Sequence, residues 1–413
     1  MRQGPDPDEA RPHELRRAGQ EARLRSVLSA AAPHAPALRA ALEAAGRSPA
    51  DFSLADLPRV SLLRKESLPA IQAASPPFGG WLGEQERMRR IFVSPGPIYE
   101  PEGYGDDYWG FEPALRAAGF TPGEVVINTF SHHLTPAGAM FEGALAALGC
   151  VAVPSGVGNL DVQVKTLLDL GARGFIGTPS FLAAVLSKIA EVAGARSPLE
   201  HAFVSGEPLP ESLRADLESR GVRVSQGYAI GDLGLVAYEC PARTGLHLAD
   251  RVIVEIVDPA TGMPVAVGEA GEVAVTFLQE LYPLLRLATG DLSVFAGGAC
   301  SCGRTAPRLA RILGRAGDAV KVRGLFLHPV ELDRAMARHP EVIRYQATVT
   351  RGADHQDILT VAVEVPPGDA GELAARLAQS IRETTRFRAD VTVVAPGTLP
   401  ADARKILDRR RWE

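Results

Sequence analysis

The feature that most constrains the fold is a regular alternation of short apolar runs with longer amphipathic segments between residues 125 and 229. Strands that alternate with helices of about ten to fifteen residues are typical of a mainly parallel sheet covered by helices on both faces. The sequence therefore predicts an α/β fold in this region. The predicted strands are VVINTF, CVAVPSG, GFIGT, HAFVSGE and RVSQGYA, and the predicted helices are PAGAMFEGALAALG, VQVKTLLDLG, PSFLAAVLSKIAEVAG and PESLRADLESRG.

The pattern changes on both sides of this alternation. Residues 21–82 show helical spacing broken by prolines, and after Asp250 the runs RVIVEIVDP and GEVAVTF predict a small barrel or an extension of the sheet. From Gly314 onward, helical and strand patterns make up about 100 residues of α+β structure, enough for an independent domain. We therefore predict a large N-terminal α/β domain over residues 1–313 and a small C-terminal α+β domain over residues 314–413.

Charge and composition exclude several classes of protein. The net charge of −5 gives no support for a nucleic-acid-binding surface. No run approaches the roughly 20 apolar residues of a membrane helix, and the first residues lack the apolar core of a signal peptide. Four cysteines are too few for a disulfide framework. We expect a cytoplasmic protein with reduced thiols that binds neither nucleic acid nor membrane.

Several short strings in the sequence carry chemical information. The string YPLLRLATGDL ends near Asp291, an aspartate after a Thr-Gly turn that could accept hydrogen bonds from both hydroxyls of a ribose. A Thr-Gly-Asp turn alone is more often a simple capped turn, so the wider set of strings decides the interpretation. The others are SGEP at residues 205–208, QGYAIGD at residues 226–232 and GRAGDAVKVRGLFLHPVE at residues 314–331.

Together these strings resemble motifs of the adenylate-forming enzymes, above all of the phenylacetate–CoA ligases. GTPSFL, GLH and DPATG also match that family, and the motifs keep their order from about residue 45 to the C-terminus. The resemblance implies an enzyme that joins a carboxylic acid to AMP and then transfers the acyl group to the thiol of CoA. In that family the C-terminal domain is a mobile lid that rotates about a hinge between the two steps. The hinge acid falls on Gly317 here, and glycine tolerates the change in backbone angles.

The resemblance also implies roles for individual residues. Asp291 would bind the ribose of ATP, Tyr228 would stack on adenine with the 206–208 loop beside it, and Asp232 would hold Mg²⁺. Lys405 in the C-terminal string ARKILDRR would reach the acyl carboxylate and the α-phosphate, where negative charge develops. The residues implied for the nucleotide are Gly206, Glu207, Pro208, Tyr228, Asp291 and Arg315.

Two neighbouring histidines end the first predicted strand of the α/β sheet, where such sheets bind ligands. Related ligases often place a histidine or an aromatic residue there beside the substrate carboxylate. His133 is our candidate for the acyl pocket together with its neighbour His132, and a simple exposed pair in a loop is the alternative.

Three cysteines and a histidine suggest a metal centre. Cys240 and His247 lie close together in sequence, and Cys300 and Cys302 flank one serine in GGACSCGR. Three thiolates and an imidazole suit a closed tetrahedral zinc site, which would be structural because no coordination position stays open. Some phenylacetate–CoA ligase-like proteins carry such a set with bound zinc, and four unrelated side chains are the alternative. Cys150, in an apolar strand, is predicted to be a buried core thiol.

One segment departs from the family pattern. The family's phosphate loop, S-S-G-T-T-G-x-P, falls by position on residues 94–101, which read SPGPIYEP. Pro95 and Pro97 remove backbone donors, both threonines are absent and Glu100 adds a negative charge, so each change should weaken the binding of a triphosphate.

Three interpretations of function therefore stay open at the level of sequence. The first is a ligase that uses ATP, Mg²⁺ and CoA to activate a carboxylic acid, with aryl or arylacetic acids favoured by the resemblance. The second is a homologue that has lost ATP use and handles a preformed acyl-adenylate or thioester. The third is a non-catalytic binding protein. A homodimer is the assembly we consider, although the sequence leaves the oligomeric state open.

Overall fold

The computed structural model describes residues 5–194, 197–315, 320–323, 325–327, 329–352, 355–366, 370–400 and 404–410. The chain divides into two compact units. One comprises Met1–Pro208 and Arg214–Ala316, and the other comprises Leu209–Leu213 and Gly317–Glu413. Gly314, where the sequence places the domain boundary, lies in the last strand of the first unit. Gly317 and its neighbours in the predicted hinge lie outside the described residues.

Local signals in the sequence set the helix ends. Thr178 caps the helix that begins at Pro179, because its hydroxyl accepts a hydrogen bond from the backbone N–H of Phe181 at 3.3 Å. Gly149 and Gly171 end two other helices in the left-handed conformation that favours glycine. The helices up to residue 219 are α1 (His13–Ala31), α2 (Pro36–Ala44), α3 (Leu68–Ala74), α4 (Glu112–Ala118), α5 (Ala137–Leu148), α6 (Leu160–Leu170), α7 (Pro179–Ala193) and α8 (Glu211–Ser219).

A large mixed sheet runs through the first unit. Its order is β11-β12-β13-β14-β10-β9-β8-β7-β6-β4-β5, with β1 added in parallel to β13, and β2 and β3 form a separate hairpin. The strands are β1 (Leu63–Arg64), β2 (Met88–Ser94), β3 (Ile98–Gly103), β4 (Val125–Asn128), β5 (Val151–Pro154), β6 (Gly174–Gly177), β7 (His201–Val204), β8 (Arg223–Ile230), β9 (Gly234–Glu239), β10 (Leu246–Leu248), β11 (Val252–Val257), β12 (Gly271–Phe277), β13 (Leu287–Ala296) and β14 (Arg308–Arg315).

The sheet has a parallel half and an antiparallel half. Strands β5, β4, β6, β7 and β8 are parallel, because each connection between them passes through a helix. From β8 through β9, β10, β14, β13, β12 and β11 the neighbouring strands are antiparallel. The predicted α/β fold is confirmed, and the β-rich region after Asp250 extends the same sheet. The carboxyl ends of the parallel strands meet at one edge, which brings the loops after β4, β6, β7 and β8 together.

The second unit is a small α+β structure with its own core. Its four-stranded sheet has the order β19-β18-β17-β20, and β15 and β16 form a hairpin. Apolar side chains such as Leu332, Val361 and Leu377 are fully buried in this core. The elements are β15 (Val320–Val322), β16 (Leu325–Leu327), α9 (Pro329–Met336), β17 (Arg344–Arg351), β18 (Asp357–Glu364), α10 (Ala370–Thr385), β19 (Asp390–Val394) and β20 (Ile406–Asp408).

None of the helices in the described part of the chain combines the length and the apolar character that crossing a bilayer requires.

Candidate active site and metal centre

Two of the residues predicted to bind the nucleotide converge on the carboxylate of a third, Asp291. The hydroxyl of Tyr228, on β8, donates a hydrogen bond to Oδ2 of Asp291 at 2.8 Å and lies 3.2 Å from Oγ1 of Thr289. The guanidinium of Arg315, on β14, donates to Oδ1 of Asp291 at 3.1 Å. Burial and then the nearby Asp291 charge raise the pKa of Tyr228 well above its ordinary value, so the phenol is a proton donor. The Asp291 carboxylate is therefore held in a fixed orientation.

The loop after β7 is anchored to its neighbours. Ser205 donates from Oγ to the carbonyl oxygen of Gly227 on β8 at 2.9 Å, and Glu207 accepts a hydrogen bond from the backbone N–H of Ser180 at 3.3 Å. Gly206 adopts a φ of +86°, which lets the chain turn between these two anchors. Pro208 is exposed. The loop thus lies at the carboxyl edge of the parallel strands, beside the strand that carries Tyr228.

Asp232, the residue predicted to bind Mg²⁺, is instead part of a buried ion pair. The ammonium of Lys65 donates to its Oδ2, and the side chain of Asp232 is fully buried while that of Lys65 is 17% exposed. Glu100 is also fully buried and accepts a hydrogen bond from Oγ of Ser94 at 2.7 Å. Burial and then the charge of Asp232 raise the pKa of Glu100 to about 8. Within the described structure, Oδ1 of Asp232 and Oε1 of Glu100 have no hydrogen-bond partner.

The segment that replaces the family's phosphate loop is a tight β-hairpin. Ser94 pairs with Ile98, so residues 95–97 form the whole turn and Ile98–Pro101 belong to strand β3. The buried side chain of Gln72 holds this strand, because its amide accepts from the backbone N–H of Tyr99 and donates to the carbonyl oxygen of Tyr99, both at 2.8 Å. Glu100 therefore points into the protein, and the open loop expected from the sequence is absent from residues 94–101.

The two histidines after β4 have different surroundings. His133 is exposed, and its backbone N–H donates a hydrogen bond to Oγ of Ser131 at 3.1 Å. His132 is partly buried against the start of α5, where a Cβ atom at Gly138 would lie 2.7 Å from its ring. The structure therefore favours His132 over the predicted His133 as the residue that faces inward, because the first turn of α5 covers only the former.

Lys405 lies in the second unit. Its ammonium donates to both carboxylate oxygens of Asp333 on α9, at 2.6 and 2.7 Å. The hydroxyl of Tyr345 donates to the same carboxylate at 2.7 Å. Lys405 and Asp333 are about half exposed, so water screens the pair and its contribution to stability is small. The lysine is thus held by a contact that can be exchanged at little cost.

The four predicted metal ligands are brought together. Cys240 follows β9, His247 lies on β10, and Cys300 and Cys302 lie between β13 and β14. Their ligand atoms all lie within 4.8 Å of one another, with Sγ of Cys240 3.6 Å from Sγ of Cys300 and Sγ of Cys302 3.4 Å from Nε2 of His247. Tetrahedral zinc with bonds of about 2.0–2.3 Å separates its ligand atoms by roughly 3.5–3.8 Å. The donor set therefore fits a closed zinc site.

The surroundings of this cluster suit metal binding. The Nδ1 atom of His247 lies 3.2 Å from the carbonyl oxygen of Ala306, which orients the ring so that Nε2 faces the thiols. Burial lowers the pKa of His247 to about 4, so the imidazole is neutral at ordinary pH. Burial alone would raise the pKa of Cys300, but hydrogen bonds from Thr244 and from its cysteine neighbours lower it to about 7. Zinc binds a neutral imidazole and deprotonated thiolates. Burial raises the pKa of the Cys240 thiol to about 12, so zinc would have to displace its proton.

Some residues of these sites were missed by the sequence interpretation. Nothing in the spacing indicated that Lys65 would pair with Asp232. The N-terminal Glu9 binds the guanidinium of Arg304 at 2.9 and 3.2 Å and accepts from the hydroxyl of Tyr238. The backbone N–H of Arg304 points to Sγ of Cys302 at 3.4 Å, so the N-terminal segment is tied to the cysteine cluster. Contacts between such distant parts of the chain leave no local signal.

The fold and these clusters define the class of protein first. A family model described as AMP-binding enzyme matches residues 109–276, and a second, described as AMP-binding enzyme C-terminal domain, matches residues 324–410. The first spans the elements from α4 to β12, and the second spans the elements of the small α+β unit from β16 onward.

Similar proteins narrow the assignment. A phenylacetate-coenzyme A ligase of Thermus thermophilus is 30% identical over 98% of this chain and 98% of its own length, and one of Escherichia coli is 27% identical over 96% and 94%. A solved structure of 2-hydroxyisobutyryl-CoA ligase in complex with 2-HIB-AMP and CoA has a TM-score of 0.85 and 26% identity, covering 97% of this chain and 91% of that chain. The chain belongs to the phenylacetate–coenzyme A ligase family of AMP-binding enzymes, and the resemblance found in its motifs is confirmed.

Proposed function

We propose that the protein activates a carboxylic acid with ATP as an acyl-adenylate and transfers the acyl group to CoA. The observation that carries this proposal is the Asp291 carboxylate fixed between Tyr228 and Arg315, three residues to which the resemblance gives a role in nucleotide binding. The relatives named phenylacetate-coenzyme A ligase and the solved 2-hydroxyisobutyryl-CoA ligase complex support it. They give no support to the two alternatives, a homologue without ATP use and a non-catalytic binding protein.

Each step of this reaction can be written with balanced atoms. A carboxylate oxygen of the acid attacks the α-phosphorus of ATP, the bond to the bridging oxygen breaks, and pyrophosphate leaves. The sulfur of CoA then attacks the acyl carbon, its proton is lost, and AMP leaves with the electron pair. Both steps build up negative charge on oxygen, which nearby cations and hydrogen-bond donors stabilise.

The nucleotide contacts follow from the first cluster. In this proposal the two ribose hydroxyls donate to Asp291, and the ring of Tyr228 faces the adenine with Gly206, Glu207 and Pro208 on its other side. Arg315 neutralises the carboxylate and keeps it in place between turnovers. For adenylation, Lys405 leaves Asp333 and binds the α-phosphate and the acyl carboxylate. The contact with Asp333 is exposed and screened by water, so its loss costs little free energy.

The acid we propose is an aryl or arylacetic acid. Phe130, which follows β4, stacks on Phe141 with the ring centroids 5.2 Å apart and the planes at 9°. A Cβ atom at Gly206 would lie 3.6 Å from the Phe130 ring, so this aromatic wall borders the predicted adenine loop. A flat apolar wall beside the nucleotide suits an aromatic acyl group. His132 lies two residues from Phe130 and is the histidine we place near the substrate carboxylate.

The two candidate metal sites differ in how well their residues fit a metal ion. The cluster of three cysteines and His247 fits zinc, and we propose that it holds one structural zinc ion that takes no part in the chemistry. The surroundings of Asp232 do not fit magnesium, because one oxygen is bound to Lys65 and the side chain has no exposure for water or phosphate. In this proposal Asp232 therefore holds no metal during the reaction. We further propose a cytoplasmic location, which suits the four free cysteines.

The proposal is tested by acid-dependent exchange between ATP and pyrophosphate, followed by detection of the CoA thioester by mass spectrometry. The acids are phenylacetate, benzoate and 2-hydroxyisobutyrate, and the matched variants are Asp291→Ala and Asp258→Ala, a partly exposed residue in the turn after β11. We expect exchange with an aromatic acid, its loss in Asp291→Ala and its retention in Asp258→Ala. Nucleotide affinity that does not change in Asp291→Ala, with no thioester from any acid, would leave the proposal without support.

A further inference from the structure

Three ionisable side chains from distant parts of the chain meet inside the first unit. Lys65 follows the short strand β1, Glu100 lies on β3, and Asp232 lies in the turn between β8 and β9. Lys65 forms an ion pair with Asp232, and the charges of both residues act on Glu100. The two carboxylates have no solvent exposure. Since burial of an uncompensated charge is very unfavourable, the cluster needs a positive charge.

Glu100 fills space that a side chain at position 231 would otherwise take. A Cβ atom at Gly231 would lie 2.6 Å from Oε1 of Glu100 and 3.1 Å from Oγ of Ser94. The carboxyl group therefore packs directly against the peptide that carries Asp232. The tight turn at residues 95–97 keeps Glu100 on the inward-facing side of β3. Glu100 is thus a buried member of the cluster, held in place by the hairpin, and not an exposed surface residue.

A hydrated divalent cation would compete with Lys65 for the same oxygens. Mg²⁺ requires six oxygen ligands at about 2.0–2.1 Å and keeps several of its waters. One oxygen of Asp232 already binds the ammonium, and neither carboxylate is open to solvent. An ammonium with three donors needs no such shell. The geometry is that of a cation site in which the cation is a side chain.

We propose that the Lys65 ammonium is a built-in replacement for the divalent cation, and that this chain holds no metal ion on Asp232. Lys65 is a positioning residue here, because it acts on the active site through Asp232 and the hairpin that carries Glu100. The consequence for adenylation rests on the proposed ligase function, whereas the binding property does not. Magnesium that arrives bound to the phosphates of ATP is substrate and is not affected by this inference.

The experiment is titration of the zinc-loaded, full-length protein with Mn²⁺ alone, followed by electron paramagnetic resonance of the free ion. The variants are Lys65→Met, Asp232→Asn and the double variant, with Lys165→Met as control because Lys165 pairs with Asp169 at an exposed site. We expect equal, weak binding by the wild-type protein and Asp232→Asn. Lys65→Met should bind Mn²⁺ at least tenfold more tightly, the double variant should lose this gain, and Lys165→Met should match the wild type.

Two results would overturn the inference. One is stoichiometric Mn²⁺ binding by the wild-type protein that Asp232→Asn abolishes, and the other is a folded Lys65→Met protein that gains no site. If Lys65→Met does not fold, the comparison of the wild type with Asp232→Asn still decides. Failure of the proposed ligase function would give another result. The variants would still bind Mn²⁺ as expected, but the protein would form no acyl-adenylate from any acid.

Discussion

Glu100 stands directly in front of Gly231, with Oε1 of the carboxyl group 2.6 Å from the place where a Cβ atom at position 231 would lie. Glu100 lies in the segment that departs from the family's phosphate loop, and Gly231 lies in the string QGYAIGD directly before Asp232. One contact therefore joins the altered segment to the turn before Asp232. A side chain at position 231 and an inward Glu100 exclude each other.

This contact predicts a steric conflict that can be relieved. Gly231→Ala should lower the free energy of unfolding by about 1–3 kcal/mol, because overpacking a buried site forces neighbouring groups to shift. In the Glu100→Ala background the same change should cost much less, since the obstructing carboxyl group is gone. Denaturant unfolding of the four proteins in this double-mutant cycle measures the coupling. Equal costs in both backgrounds would show that Glu100 does not limit position 231.

The zinc site gives the second prediction. Cys302→Ser should lose the bound zinc and lower the free energy of unfolding, because the metal links β9 and β10 to the loop between β13 and β14. Cys150→Ser is the matched control, since that thiol lies outside the cluster and donates to the carbonyl oxygen of Thr121. Metal analysis should find about one zinc per chain in the wild type and in Cys150→Ser. Absence of zinc from protein prepared without chelators would refute the site.

Several features could be predicted because they depend on local patterns. The strands and helices between residues 125 and 229 follow from the period of apolar residues, and the grouping of Cys240, His247, Cys300 and Cys302 follows from donor chemistry and spacing. The expectation that ligands bind at the carboxyl ends of the parallel strands follows from the general topology of α/β sheets. None of these requires knowledge of which distant side chains touch.

The contacts that the sequence did not indicate join distant segments. Lys65 reaches Asp232, and Gln72 pairs with the backbone of Tyr99, which closes the hairpin where an open loop was expected. The same holds for Lys405 on Asp333. The resemblance placed Glu100 in the phosphate loop, where its charge would oppose the phosphates, whereas strand pairing from Ser94 to Ile98 turns it inward.

The third prediction concerns the nucleotide. Asp291→Asn should weaken the binding of AMP by about 1–3 kcal/mol, because a charge-assisted hydrogen bond to the ribose becomes a neutral one. Tyr228→Phe keeps the ring but removes the hydroxyl that orients Asp291, so it should cost about 0.5–1.5 kcal/mol. Calorimetric titration with AMP measures both. A larger loss in Tyr228→Phe than in Asp291→Asn would mean that the hydroxyl, and not the carboxylate, is the main contact with the nucleotide.

The fourth prediction separates the two half-reactions. Lys405→Met should abolish formation of the acyl-adenylate yet retain most thioester formation from a synthetic acyl-adenylate. Asp333→Asn should raise the rate of adenylation a few-fold, because Lys405 no longer leaves a carboxylate to reach its substrate. The change in stability should stay below about 1 kcal/mol, as for exposed ion pairs. Rapid-quench measurement of each half-reaction checks this, and equal loss of both in Lys405→Met would contradict it.

The last prediction uses the buried carboxyl group of Glu100. Its pKa is raised from 4.5 to about 8 by burial and by the charge of Asp232. Between these values the folded protein retains a proton that the unfolded chain has lost. The free energy of unfolding should therefore fall as the pH rises from about 4.5 to about 8, by up to about 1.4 kcal/mol per pH unit, and the full loss is present above that window.

Glu100→Gln cannot lose this proton and should lack that part of the pH dependence, so the two stability curves should diverge towards pH 8. The exposed Glu66→Gln variant is the control for removal of a carboxylate and should keep the wild-type slope. Urea unfolding at intervals from pH 5 to pH 9 measures the three proteins. Parallel curves for the wild type and Glu100→Gln would mean that Glu100 is already ionised in the folded protein, with a cation beside it that balances the charge.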